Sequence, residues 1–393
     1  MRPGIYIEHT LQPPRAGGLV RCDLGAILGF IPPDRWPEDA TAGDFVEFQF
    51  DRLSQVDEHP QVHLIDVPAR RAARGWFENG GQRLHIFALC VQDMDDLRAP
   101  DPAAAPWVAL LDRWRGNDDI ALICCPAAAS MRCEIGRDGS VRTDADALYD
   151  MLLQHCHQMT NRFLVMDAPR GLHEDLLARW FRGFQERQPE TRSHGAVYYP
   201  WLMRGDEPYP PSGAMMGLYT RVEREHGSYG VAWPPANVPV HGATHTEVQL
   251  DWSQAGVIGD VGINPIVVQP GRGVLVWGAR TMSRDPSWVW INTRRVACMI
   301  AEQLRRDNEW AIFEVNDPGL WKVIERDVRV RLDQFHEAGM LAGSRNGGEY
   351  SVECNEATNP SALRAAGVLG VAVRFRPVGT TERITIDLRL GGG

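Results

Sequence analysis

The sequence predicts an α/β protein: a mainly parallel sheet with helices on its faces, followed by a smaller α+β region. Three observations predict it. Strand-like and helix-like segments alternate between residues 21 and 270. Two of the strand-like runs, 84–91 and 120–125, are apolar throughout, as strands covered on both faces are. From about residue 271 the pattern changes to long helical stretches with short closing strands, the mark of an α+β unit.

Taken in order, Gly4, Ile5, Tyr6, Ile7 and Glu8 read as a short strand, and residues 9–18 as a Pro/Gly-rich tether reaching at most ~33 Å when extended. Val46, Phe48 and Phe50 alternate with Glu47 and Gln49 as a strand. Residues 144–158 and 172–185 carry helical spacing and flank a strand at 163–166; the next strand is 194–199. The run 263–268, a turn at 270–273 and a second run at 274–277 follow. Asp285-Pro286 and Asp317-Pro318 each start a long helix, because Asp caps and Pro tolerates the first helical position. Val289, Val296, Ile300 and Leu304 form one apolar face of the first. The second stops at Gly339, and a short helix starts at Asn359-Pro360. Strands at 351–354, 368–376 and 383–390 close the chain. In the last, Ile384, Ile386, Leu388 and Leu390 alternate with polar residues. A strand at a terminus exposes unpaired backbone groups, so both ends pair either within their own subunit or with a neighbour. The domains expected are an arm and tether at 1–20, an α/β domain at 21–270, an α+β domain at 271–382 and a strand arm at 383–393.

At 393 residues the chain exceeds one ordinary core. A net charge of −10 argues against nucleic acid as a partner, since phosphate binding needs a basic field. Lys322 is the only lysine among 41 basic residues, so positive charge here is almost all guanidinium. No leader or membrane-spanning run is expected. The eight cysteines show no disulfide framework, which fits synthesis in a reducing cytoplasm.

Catalytic and ligand patterns are weak. No nucleophile elbow accompanies Ser212, which reads instead as a helix cap. His241 and His245 are four apart, but Gly242 stands where a zincin carries Glu. His155-Cys156-His157 and Cys124-Cys125 face in different directions on a helix and a strand, so neither set converges on a metal. No phosphate-cradling glycine loop occurs. Neither a catalytic residue, a cofactor nor a metal is therefore assigned.

Residues 270–280 (PGRGVLVWGAR), followed by 285–295 (DPSWVWINTRR), resemble the C-terminal region of contractile tail sheath proteins. Residues 76–81, 161–169 (NRFLVMDAP), 197–201 (VYYPW), 210–219 (PPSGAMMGLY) and 316–318 are similar to sheath motifs in the same order. The resemblance runs over the chain and is weakest at 31–70. It implies a subtilisin-like α/β central domain, an α+β C-terminal domain and extended terminal strand arms. It further implies a structural subunit, not an enzyme, that forms six-membered rings stacked helically around an inner tube. Contraction of the stack drives the tube through a target envelope. The implied partners are further copies of the chain, the inner tube, and baseplate and terminator or cap proteins, without nucleic acid or membrane insertion. Assembly is expected in the bacterial cytoplasm, in a phage tail or a tail-like particle released from the cell. The alternatives are a sheath paralogue near the baseplate or cap and, from another class, an α/β enzyme or ligand-binding protein.

Residues 272–306 hold seven arginines against Asp285 and Glu302, a local charge of +5. Arg294 and Arg305, and Arg295 and Arg306, are eleven apart, about three helical turns, and line one stripe. The stripe reads either as a solvated face or, given the resemblance, as a surface meeting carboxylates of the inner tube.

Overall fold

A computed structural model describes residues 19–93, 97–343 and 350–380. The arm residues Gly4 to Glu8 and Ile384 to Leu390 lie outside them. The chain divides into two compact units, one centred on Arg21–Met299 and one on Ile300–Val378.

The first unit opens with β1 (Leu24–Ile31), β2 (Phe45–Phe50), α1 (Leu53–Glu58), α2 (Val67–Glu78) and β3 (Leu84–Cys90). Next come α3 (Ala105–Arg115), β4 (Ile120–Cys124), a small pair β5 (Cys133–Ile135) and β6 (Val141–Thr143), and α4 (Asp146–Met159). These are followed by β7 (Phe163–Asp167), α5 (Glu174–Arg187), β8 (Gly195–Tyr199), β9 (Leu202–Arg204), β10 (Glu207–Tyr209) and α6 (Ser212–Glu225). The unit continues through β11 (Val238–Pro239), β12 (His245–Thr246), α7 (Trp252–Val261), β13 (Asn264–Gln269) and β14 (Gly273–Val276). The boundary between units falls inside α8 (Ile291–Asp307). The second unit adds α9 (Pro318–Glu337), β15 (Tyr350–Glu353), α10 (Ser361–Ala365) and β16 (Ala372–Phe375).

Nine strands of the first unit form one sheet in the order β11-β14-β13-β8-β7-β4-β1-β3-β2. The six from β13 to β3 are parallel, whereas β2, β14 and β11 run antiparallel to their neighbours. This corrects the expected subtilisin-like central domain: the sheet is mixed, with antiparallel strands at both ends. The turn between β13 and β14 is the cause at one end. Gly271 and Gly273 take φ of 78° and 79°, and a connection this short joins only antiparallel strands.

Both faces of the sheet are buried, and β1 sits between the two cores. Leu24, Ala26, Leu28 and Phe30 point into the core that holds Trp114 of α3, Leu152 of α4 and Trp180 of α5. Ile27 and Ile31 point into the other, with Trp76 of α2 and Met215 of α6. Each buried Leu, Ile, Phe or Met side chain contributes about 1.5–3 kcal/mol. The motif at 210–219 acquires a physical meaning here. A Cβ on Gly213 would lie 2.2 Å from the Ala72 carbonyl oxygen, and one on Gly217 would lie 2.3 Å from that of Trp76. These glycines let α6 press its backbone against α2.

Three local expectations change. Residues 24–31 form an interior strand between β4 and β3, which the sequence did not announce. Ser212 is not a cap: it is the first residue of α6, and the cap is Asp167 at the end of β7, whose Oδ1 accepts the Ser212 N–H at 2.6 Å. The long helix does not start at Asp285-Pro286. Only the 3-10 turn Pro286–Trp288 forms there, because Thr281 occupies the Trp288 carbonyl at 2.6 Å through its hydroxyl and the Val289 carbonyl at 2.7 Å through its N–H. Asp317 does cap α9, accepting the Leu320 N–H at 2.8 Å, and Gly339 follows the helix at φ 76°.

Two glycine substitutions separate close approach from mere flexibility. Gly213→Ala is expected to destabilise the fold by roughly 2 kcal/mol or more, by overpacking against backbone. Gly183→Ala, on α5 with open space around it, is expected to stabilise by about 0.4–1 kcal/mol. Urea midpoints of the two variants check both.

Candidate assembly surfaces

The four arginines expected to form one stripe occupy different environments. Arg295 is almost wholly buried. It pairs with Glu223 of α6, donates to the Cys22 carbonyl at 2.8 Å and lies over the Tyr219 ring. Burial pushes the Glu223 carboxyl up to about 7, and Arg295 opposes the rise. Arg294 lies over Trp288, its guanidinium carbon 3.5 Å from the ring centre, and donates to Ser193 Oγ at 2.6 Å. Both side chains are therefore spent inside the first unit.

Arg305 and Arg306 belong to the second unit and remain partly open. Arg305 bonds Glu302 at 2.8 Å and Glu309 at 2.6 Å, and Arg306 bonds Glu302 at 2.6 Å. Burial would raise the Glu302 carboxyl, but hydrogen bonds from Arg305 and Arg306 outweigh it and hold the group below its ordinary value.

The second unit also carries an apolar groove of about 800 Å³, which the charge pattern did not signal. Leu304 of α8, Ile324 and Val328 of α9, and Leu369, Val371 and Val373 line it. Ile312 and Val315 at its margin are exposed, and Phe313 is fully so, on a backbone with φ 71°. Bulky residues are scarce in that conformation. Beside the groove β15 and β16 form a two-stranded antiparallel sheet, Tyr350 opposite Phe375 and Val352 opposite Val373. Two strands alone are marginal in water. This pair is braced by α9, where Asp333 accepts the Tyr350 hydroxyl. An amphipathic alternation at Val371, Val373 and Phe375 was the available sequence signal for this surface.

Among the described residues, no group of three His, Cys, Asp or Glu side chains could hold a metal ion. His155 is buried beside Arg162 and its pKa falls to about 3, through burial and then that neighbouring charge. His241 lies 2.8 Å from the Arg221 guanidinium. Both rings face a guanidinium. Likewise, among the described residues no helix is long and apolar enough to cross a membrane.

No family model matches the chain. It is 24% identical over 181 residues to the tail sheath protein of Escherichia phage P2, covering 44% of this chain and 43% of that one. It is 22% identical over 284 residues to a putative prophage major tail sheath protein of Pseudomonas aeruginosa, covering 70% and 66%. The matches thus span about two fifths and two thirds of these curated relatives. Its fold follows a chain of the anti-feeding prophage baseplate over 100% of its length and 99% of the other, with a TM-score of 0.71 at 22% identity. A chain of the contracted anti-feeding prophage sheath gives 0.70 at 24% identity, covering 98% of each. The chain is similar in sequence to tail sheath proteins and shares the fold of contractile-sheath subunits. Its mixed sheet with flanking helices is the architecture of sheath proteins, and this finding overturns the subtilisin-like expectation.

The buried pair and the open pair of arginines differ in cost. Arg295→Met leaves Glu223 buried without its cation and is expected to destabilise the chain by about 3–5 kcal/mol, whereas Arg305→Ala costs under about 1 kcal/mol. Thermal melts distinguish them. A pH effect comes from Asp167, whose carboxyl burial raises to about 7. Its folded pKa exceeds its unfolded one, so its contribution is complete below about pH 4 and is lost as pH rises through 7. Asp167→Asn should flatten the fall in urea midpoint between those values; an unchanged slope assigns that fall elsewhere.

Proposed function

We propose that this chain is a structural subunit of the sheath of a contractile tail or tail-like injection particle. In that role it forms six-membered rings stacked around an inner tube, and their contraction drives the tube outward. The supporting observation is the agreement of fold over essentially the whole chain with subunits of contractile assemblies. The work comes from repacking between copies, so the chain needs neither a nucleotide nor a catalytic centre. Assembly takes place in the cytoplasm of the producing bacterium.

The groove and the β15–β16 edge supply a receiving surface for the terminal arms. A strand added beside β16 gains main-chain hydrogen bonds, and the alternating Ile384, Ile386, Leu388 and Leu390 suit an apolar trough. Gly4 to Glu8 form the second arm. The limits at 20 and 382 then separate the arms from the two units between them. Of the four arginines, Arg305 and Arg306 have the exposure to meet carboxylates of the inner tube; Arg294 and Arg295 hold their own subunit together. A sheath paralogue at the baseplate is a second reading, favoured by the equal likeness to a baseplate chain and a sheath chain.

Removal of residues 383–393 should leave a folded chain that no longer forms rings or tubes in electron micrographs; undiminished assembly discards the arm mechanism. Arg305→Glu combined with Arg306→Glu should weaken assembly on the inner tube at low salt and not at high salt. Equal assembly at all salt concentrations removes those two residues from the tube surface.

A further inference from the structure

Two clefts of the first unit are each lined by three arginines, and they differ in one respect. In the smaller, about 160 Å³, Arg71 pairs with Glu207 at 2.5 Å, Arg74 with Asp57 at 2.5 Å and Arg204 with Glu78. Every guanidinium there has a carboxylate of its own subunit. The larger, about 360 Å³, lies between α5, the end of α7 and the segment after β14. Arg182, Arg280 and Arg284 line it, with Asp260 as the acid in its wall. Arg182 is exposed and makes no ion pair or hydrogen bond with any described residue. Arg284 reaches Glu186 at 3.1 Å, both side chains exposed, and Arg280 lies 5.5 Å from the Trp290 ring centre. Gly262 at φ 101° contributes bare backbone to the lining.

The complement lies at the other end of the sheet. The loop joining β1 to β2 presents Glu38 and Asp39, both exposed and without an ion pair among the described residues. Six strand spacings separate β13, next to the cleft, from β2, or about 29 Å at 4.8 Å each. A cationic cleft towards one end of a sheet and free carboxylates at the other cannot meet within one molecule. They can meet between identical molecules arranged head to tail, and repetition of a heterologous contact generates a closed ring or a helix.

We propose that the cleft of Arg182, Arg280 and Arg284 on one copy receives Glu38 and Asp39 of the next copy. The inference rests on the sheath reading and deepens it by naming a contact between neighbouring subunits. Guanidinium groups hold carboxylates through paired, directional N–H donors, so the contact fixes orientation as well as proximity. It is open to solvent and is screened by salt, whereas a strand-added contact is not.

The test is charge exchange in the full-length chain, with assembly followed by sedimentation and electron microscopy at about 0.05 M salt, where the Debye length exceeds 10 Å. Arg182→Glu alone, and Glu38→Arg with Asp39→Arg, should each raise the concentration needed for assembly by about tenfold or more. The triple exchange should restore it to within about threefold of the unmodified chain. All these residues are exposed, and circular dichroism checks that each variant folds. Unaltered assembly of Arg182→Glu overturns the proposal. So does a loss confined to the arginine variant, which assigns the cleft to a carboxylate on another surface, and so does failure of the triple exchange to restore assembly. An unmodified chain that forms neither rings nor tubes overturns the sheath reading itself, and the pairing with it.

Discussion

Burial of β1 on both faces is the constraint from which the rest of the first unit follows. All eight of its residues are withdrawn from solvent, and alternate ones enter separate cores. A strand so placed needs a hydrogen-bonded neighbour on each edge and a helical layer on each face. It has β3 and β4 on its edges, α2 with α6 on one face and α3, α4 and α5 on the other. With the faces consumed, only sheet ends, loops and helix termini remain for partners. The cleft lined by Arg182 and the Glu38–Asp39 loop both lie in that remainder.

Charge is distributed by the same logic. The first unit keeps several ionisable groups in its interior, each tied to a structural duty. Asp167 caps a helix from a strand 45 residues earlier, Arg192 holds Asp150 at 2.7 Å, and Arg295 holds Glu223. Such groups cost desolvation and return specificity of packing only while both partners are present. Groups able to take part in a reversible assembly are the partly exposed ones, whose contacts weaken in salt. The exposure of each arginine tells which kind it is.

Much of this was legible in the residue order. The continuous apolar runs at 84–91 and 120–125 gave β3 and β4, the Gly-containing turn at 270–273 gave the β13–β14 pair, and Asp317-Pro318 gave the start of α9. β1 was not legible, because Gly25 and Gly29 interrupt its pattern and glycine disfavours strands. The arginine stripe was visible as periodicity alone. Eleven-residue spacing places two side chains on one side of a helix, but it carries no information about what faces them. What faces them is set by Glu223 and Ser193, and both come from elsewhere in the chain.

The sequence by itself determined the alternation of strands and helices and the sheath resemblance. Those depend on local periodicity, turn chemistry and short motifs, which neighbouring residues express together. The tertiary structure alone decided the mixed order of the sheet, the capping of α6 by Asp167, the separation of buried from open arginines and the apolar groove beside β16. Each of these depends on residues far apart in the chain being brought within a few ångströms, and a linear pattern does not encode which distant groups those are.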